Sequence, residues 1–305
     1  MKQLVLSIAS YDYFAHDLAR RLGIAVGNVE RKRFPDGEHY LRLVDDVNDC
    51  DVILVGGTID DAATLELYDL ACAAVEYGAR TLTLVVPWFG YSTMERAVLH
   101  GEAVIAKTRA RLISSIPRPK LGSAVLLLDL HSEGIPHYFE GTIRPFHVYA
   151  KPLIERMARE LAGSDFILGS TDAGRAKWVE SLANDLRVQP AFVYKRRHSA
   201  EETEVTAISR NLDGETVVIY DDMIRTGGSL MNAARAYRDA GAGKIIGITT
   251  HGVFPGESLQ RIVDSGLFAR LACTDSHPNA RALAGTDLAV HSAAELFVPL
   301  LGRTV

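Results

Sequence analysis

Cysteine, excess positive charge and long apolar runs are all scarce in this chain, and each shortage removes a class of protein. Three cysteines, Cys50, Cys72 and Cys273, are scattered through 305 residues without a CxxC spacing. This excludes a disulfide framework or a zinc site and suits a reducing cytoplasm. Lys and Arg total 33 against 38 Asp and Glu, a formal net charge of -5, so the basic footprint of a nucleic-acid binder is missing. No stretch approaches the roughly 20 apolar residues of a membrane span. The start, Met1-Lys2-Gln3, carries one positive charge, and the apolar run behind it is short and soon polar. It reads as a first strand rather than a secretory signal. No low-complexity segment and no repeat with a period of roughly 20–50 residues is visible.

What is present is globular, with 48% hydrophobic and 23% charged residues. The length allows two domains of about 150 residues each. Apolar strands are expected at residues 4–9, 52–56, 81–86, 124–130, 166–169, 216–221 and 244–249. Amphipathic helices are expected between them, at 15–22, 64–77, 103–114, 153–161, 176–186 and 230–240. Such alternation predicts βαβ units and an α/β fold with mainly parallel sheets. The segment 141–146 reads as a junction, which gives domains at 1–147 and 148–285 and a tail at 286–305. The tail carries a further strand and helix, and its composition does not say where it packs.

The most informative run is Val217-Val218-Ile219-Tyr220-Asp221-Asp222-Met223-Ile224-Arg225-Thr226-Gly227-Gly228-Ser229-Leu230. Four apolar residues in a row fit a strand covered on both faces. Ligands of open α/β sheets bind at the carboxyl ends of such strands. Gly227 and Gly228 permit a tight turn and close approach to an anion. The N–H groups of the following helix, with the Thr226 and Ser229 hydroxyls, then make a phosphate cradle. Carboxylates just before it would repel a bare phosphate chain but can face hydroxyls or a cation, so a sugar phosphate has the right polarity. Asp-Asp or Gly-Gly alone is a weak signal. The whole string resembles the phosphoribosyl-diphosphate binding motif shared by type I phosphoribosyltransferases and ribose-phosphate diphosphokinases. The resemblance implies that Asp221 and Asp222 contact ribose hydroxyls and that Thr226, Gly227, Gly228 and Ser229 hold the 5-phosphate.

Other segments resemble the diphosphokinases in the same order along the chain. Asp129-Leu130-His131, through to Phe139, resembles a segment whose histidine helps hold the magnesium bound to ATP, which implies His131 as a metal ligand. An imidazole with carboxylates, waters and substrate phosphates is a workable magnesium site. Ser170-Thr171-Asp172-Ala173-Gly174 resembles the family's Ser-Pro-Asp-x-Gly, so Asp172 is implied at the metal and the ribose phosphate. Thr171 departs from the proline, and Trp178 stands where arginine is common. Lys195-Arg196-Arg197 resembles a flexible loop that closes over the nucleotide. Lys195 and Arg197 are thereby implied as the catalytic cations, since charge grows on transferring phosphoryl oxygens.

Arg33-Phe34-Pro35-Asp36-Gly37-Glu38 is a turn by its Pro and Gly. It resembles a family segment that reaches across a subunit interface to the ATP base and ribose. Phe34, Asp36 and Glu38 are thus implied as ATP-binding, and the protein as a homo-oligomer with a shared site. Pro87 to Arg96 resembles a further ATP-contacting segment and keeps Glu95 and Arg96. Thr93 and Met94 replace its Arg-Gln pair, which removes a fixed cation and an amide donor. Thr250-His251-Gly252-Val253-Phe254-Pro255-Gly256 and Cys273-Thr274-Asp275-Ser276 extend the likeness to nearly the whole chain.

The resemblance implies two tandem type I phosphoribosyltransferase-like domains, with a C-terminal tail returning to the first as one option. It implies magnesium-dependent transfer of the diphosphoryl group of ATP to the 1-hydroxyl of ribose 5-phosphate. The alternatives are a catalytically weak regulatory homologue that binds ribose 5-phosphate, altered nucleotide or sugar-phosphate preference, and a transferase that consumes phosphoribosyl diphosphate. Arg225, where bacterial members usually carry Asp, bears on the second of these. No nucleic acid or membrane is expected as a partner. Oligomer size and allosteric control are not legible; Gly134 and Pro136, for example, stand where glutamines are common.

Overall fold

A computed structural model of the chain describes residues 2–172, 174, 176–197 and 203–302, with side chains for all of these except 195–197 and 203–207. Two compact units emerge, one reaching Tyr149 and resuming at Ala293, the other Ala150–Ser292. Among the described residues no helix is long and apolar enough to cross a membrane.

The first unit is built on β1 (Gln3–Ser7), β2 (Ala25–Val26), β5 (Asp51–Val55), β6 (Thr81–Val86), β7 (Ser123–Leu128) and β8 (Ile143–Val148). They form one parallel sheet in the order β2-β1-β5-β6-β7-β8. Every residue of β5 is buried, as expected of a strand covered on both faces. A separate antiparallel hairpin joins β3 (Val29–Arg33) to β4 (His39–Leu43). The helices are α1 (Asp12–Leu22), α2 (Asp61–Glu76) and α3 (Ile105–Ser114). Phe14, Ala15, Leu18 and Ala19 of α1 are buried, one stripe of the helix. The helix ends at Gly23, whose left-handed backbone (φ 69°) returns its N–H to Ala19.

The second unit repeats this plan. Its parallel sheet contains β9 (Ile167–Ser170), β10 (Gln189–Ala191), β13 (Thr216–Ile224), β14 (Lys244–Gly252), β15 (Arg270–Thr274) and β16 (Ala289–His291), in the order β10-β9-β13-β14-β15-β16. Its hairpin, β11 (Val193–Arg197) with β12 (Thr203–Ile208), falls at the equivalent place in the order. The helices are α4 (Lys151–Ala162), α5 (Ala176–Leu186), α6 (Gly228–Asp239), α7 (Ser258–Asp264) and α8 (Pro278–Ala282). Tyr237 of α6 is fully buried over β9, where a Cβ on Gly169 would lie 2.8 Å from its ring. Its hydroxyl reaches the Ala191 and Ser170 carbonyls at 2.8 and 3.1 Å, fixing the helix on the sheet. Burial pushes this phenol well above its ordinary pKa.

Among the departures from the sequence expectations, three bear on the domain plan and the site. The strand expected to end at Asp221 runs on to Ile224, still paired with β14. Residues 141–146, read as a junction, contain most of β8, an edge strand of the first sheet. Pro145 lacks an amide for the ladder, which an edge tolerates. The tail divides: β16 joins the second sheet, whereas α9 (Val298–Leu301) and the residues before it pack in the first unit. There Phe297 meets Phe14 edge-on at 5.9 Å and Glu295 pairs with Arg21 at 3.7 Å.

Candidate active site

The carboxyl end of β13 and the start of α6 gather six of the expected residues. Asp221 and Asp222 are consecutive residues of β13. Asp221 is half-buried, whereas Asp222 is only 2% exposed. Asp221 Oδ1 accepts the Asp222 amide at 3.1 Å, and Oδ2 accepts the Thr171 hydroxyl at 2.9 Å.

Beyond Ile224, Arg225 and Thr226 are exposed, and the chain turns at Gly227 into α6. Gly227 has φ 81°, and a Cβ there would stand 2.4 Å from Ile262 Cδ1. Both its backbone and its surroundings therefore require glycine. No side chain caps this helix, and its first turn carries no acid. The leading N–H groups of a helix have no intrahelical acceptors and sit at the positive end of its dipole. With the exposed Ser229 and Thr226 beside them, they form a cradle suited to one anionic group.

Asp172 follows β9 in the same unit; its Oδ1 accepts the Gly174 amide at 2.9 Å. Trp178 of α5 stacks on Tyr220, with centroids 4.1 Å apart and planes 13° apart. Lys195 and Arg197 belong to β11, opposite Val205 and Thr203. Their side chains lie outside the described residues, as does much of the 195–204 segment expected to act as a loop.

The first unit carries the expected nucleotide-side residues. Phe34 to Glu38 form the tip of the β3–β4 hairpin, closed by the Phe34 amide to Glu38 O and the Gly37 amide to Phe34 O, each 2.9 Å. Phe34 is 47% exposed and Asp36 and Glu38 are also open to solvent. Arg96 lies on the segment after β6 beside Glu95, 3.6 Å away. No hydrogen bond or ion pair joins Arg96 to the hairpin tip among the described residues.

That segment starts buried, at Trp88 and Phe89, and the Gly90 backbone packs directly on Thr58, where a Cβ on Gly90 would meet the Thr58 carbonyl oxygen. It then turns outward at Tyr91 (φ 62°) to expose Thr93 and Met94. The Tyr91 hydroxyl donates to Asp61 at 2.7 Å, and Arg109 both pairs with Asp61 and lies 5.0 Å over the Tyr91 ring. This anchor comes from three distant segments and left no local sequence signal. His131 is exposed just after Asp129, which is buried and holds a left-handed backbone (φ 41°). Strain of this kind clusters at functional sites.

A family model for the N-terminal domain of ribose phosphate pyrophosphokinase matches residues 3–116, and one for a phosphoribosyl transferase domain matches residues 149–269. A ribose-phosphate pyrophosphokinase of Synechococcus elongatus is 32% identical over 99% of this chain and 89% of its own length. One from Gloeobacter violaceus is 34% identical over 86% of this chain and 77% of its own. The crystal structure of the phosphoribosylpyrophosphate synthetase from Mycobacterium smegmatis superposes with a TM-score of 0.84 at 25% identity, covering 100% of this chain and 97% of that one. The chain belongs to the ribose-phosphate pyrophosphokinase family. Its two units are tandem phosphoribosyltransferase-like α/β domains, and the cradle on α6 lies in the domain matched by the phosphoribosyl transferase model.

Magnesium is the cation that this family membership suggests, and the donor set decides whether it fits. No group of three or more His, Cys, Asp or Glu among the described residues is arranged to hold a metal. A cage made wholly of protein is therefore absent from those residues. The exposed His131 of the first unit and the half-buried Asp172 of the second are each a single donor, and magnesium accepts so few protein ligands because it keeps waters and substrate phosphates as the rest.

Proposed function

We propose that this chain transfers the diphosphoryl group of ATP to the 1-hydroxyl of ribose 5-phosphate, giving phosphoribosyl diphosphate and AMP. The observation that carries the proposal is the start of α6, an uncapped helix end behind Gly227 and directly after an acidic strand end. Thr226, Gly227, Gly228 and Ser229 hold the 5-phosphate there, and Asp221 and Asp222 orient the ribose hydroxyls. The bound sugar then presents its 1-hydroxyl for in-line attack on the β-phosphorus. Such a transfer depends on positioning and charge neutralisation more than on covalent help from the protein.

Phe34 covers the base, Asp36 and Glu38 accept hydrogen bonds from the nucleoside, and Arg96 adds a cation. Lys195 and Arg197 stabilise the charge that develops on the transferring oxygens. His131 and Asp172 would hold Mg2+, which when bound neutralises the phosphate oxygens. The protein assembles as a homo-oligomer in which the exposed hairpin tip completes a neighbouring subunit's site. It works in the cytoplasm, in keeping with three free cysteines.

The purified protein with Mg2+, ATP and ribose 5-phosphate is expected to form AMP and phosphoribosyl diphosphate in equal amounts. Absence of both products would sink the reading. A second reading, altered nucleotide choice, draws on the exposed Thr93 and Met94 where the family pattern has Arg and Gln. A panel of nucleoside triphosphates decides it, since a clear preference for ATP would reject it.

A further inference from the structure

The proposed function leaves no role for a buried contact beneath Asp221. Thr171 is 1% exposed, and its hydroxyl donates to Asp221 Oδ2 at 2.9 Å. It comes from the neighbouring strand end, because Thr171 follows Ser170, which is in register with Tyr220. With Oδ1 on the Asp222 amide, both oxygens of this half-exposed carboxylate are tied to the protein. A proline at 171, as in the family pattern described above, would offer neither hydroxyl nor amide to make this bond.

An aspartate carboxylate turns easily about its last torsion, which has a broad two-fold profile. A hydrogen bond to an ionised oxygen is about twice as strong as a neutral one. Burial removes the water that would compete with it. The donor also sits beside a strand packed on both sides, so its own position is fixed. On the other flank Thr249 is in register with Asp221, and its buried Oγ1 has no partner among the described residues. Thr249 thus offers Asp221 no hydroxyl contact, whereas Thr171 does.

We propose that Thr171 is a positioning residue for ribose 5-phosphate binding: its hydroxyl sets the plane in which the Asp221 carboxylate meets the ribose hydroxyls. This rests on the reading that Asp221 binds the sugar. Ordering the carboxylate before the ligand arrives removes an entropic cost from binding. The effect should therefore appear in sugar-phosphate affinity and not in nucleotide affinity.

The test compares wild type with Thr171→Val, which keeps shape and loses the hydroxyl, and Thr171→Ser, which keeps the hydroxyl. Thr171→Ala serves as a second variant should the valine protein fail to fold. Ribose 5-phosphate is titrated against tryptophan fluorescence, using Trp178 on Tyr220 as the nearby reporter, and KM is measured for both substrates. Thr171→Val should weaken ribose 5-phosphate binding by about ten-fold, the scale of one lost hydrogen bond to a charged group. Thr171→Ser should stay within about two-fold of wild type, and KM for ATP should not move in either variant. Undiminished sugar-phosphate affinity in both Thr171→Val and Thr171→Ala overturns the proposal. Equal loss in the serine and valine variants, or equal loss for both substrates, assigns Thr171 to packing and also overturns it. A wild-type protein that binds no ribose 5-phosphate overturns the reading of the α6 cradle, a failure distinct from one confined to the variants.

Discussion

Replacing Gly227 with alanine should damage the fold and the anion cradle together, through two separable causes. The first is backbone: at φ 81° an alanine pays the left-handed penalty of about 1–2 kcal/mol. The second is steric. The new Cβ would stand 2.4 and 2.5 Å from Ile262 Cδ1 and Cγ1, and Ile262 is fully buried in the core of the second unit. Forcing extra volume into a packed site costs about 1–3 kcal/mol, so the total is about 2–5 kcal/mol.

Gly228 is the internal control. A Cβ there meets nothing closer than Thr226 Oγ1 at 4.0 Å, and its φ is not positive. Gly228→Ala should therefore shift stability by no more than about 0.5 kcal/mol or raise it slightly. A double-mutant cycle with Ile262→Ala separates the two causes. Removing the isoleucine side chain should cancel the steric part of the Gly227→Ala cost and leave the backbone part of about 1–2 kcal/mol. Urea unfolding of the full chain in a Trp88→Phe background, which leaves Trp178 as the sole tryptophan, reads the second unit, and ribose 5-phosphate titration reads the cradle. A Gly227→Ala protein within about 0.5 kcal/mol of wild type, with unchanged sugar-phosphate affinity, would refute the reasoning.

Lys195→Ala should lower turnover by orders of magnitude and largely spare ribose 5-phosphate affinity; steady-state rates with a binding titration check it, and intact turnover would remove Lys195 from the catalytic set. His277 caps α8 by accepting the Asn279 amide at 3.2 Å, and burial, with the nearby His251 second, lowers its pKa from 6.5 to about 4. As pH falls below the unfolded value the unfolded chain takes the proton first, so stability should drop by up to about 3 kcal/mol between pH 6.5 and 4. His277→Asn keeps a capping group and should remove that share of the slope in urea midpoints measured across the window. For Asp51, burial raises the carboxyl pKa, but bonds from Arg80 and Thr81 outweigh it and hold the group below its ordinary value. Arg80→Met should destabilise the first unit at neutral pH, and the deficit should narrow as acid protonates Asp51; a deficit independent of pH would contradict the pairing.

The parts of this protein legible in its sequence are those whose physics is local. The run from Val217 to Ser229 keeps strand, turn and helix start contiguous, so its anion-binding logic could be read without coordinates. The polar end of β13 could not. Asp222 to Ile224 look like loop, yet Met223 and Ile224 pair with His251 and Gly252. Ladder bonds are made by backbone and do not register side-chain polarity. The β3–β4 hairpin hid for a related reason: Val29–Arg33 is mostly charged, as an exposed ribbon can be, and only its Pro35–Gly37 turn gave a signal. β8 was obscured by Pro145 at the sheet edge. Contacts such as Thr171 to Asp221 bridge 50 residues, and nothing in either local sequence specifies the partner.

The duplicated topology adds a comparison within the chain itself. β5 and β13 hold the same place in their sheets, and each leads through a Gly-Gly turn into a helix. After β5 the turn is closed. Gly56, Gly57 and Thr58 are buried, and a Cβ on Gly57 would lie 2.2 Å from the Tyr11 hydroxyl, so protein fills the space. Asp60 caps α2 by accepting the Ala63 amide at 2.8 Å, and Asp61 follows it. Two carboxylates at a helix start satisfy its dipole and repel another anion. After β13 the cap is a glycine, the flanking hydroxyls face solvent, and the first turn is free of acid. The two turns share an architecture and differ in a handful of side chains, so it is those side chains, and not the fold, that close the first turn and leave the second open.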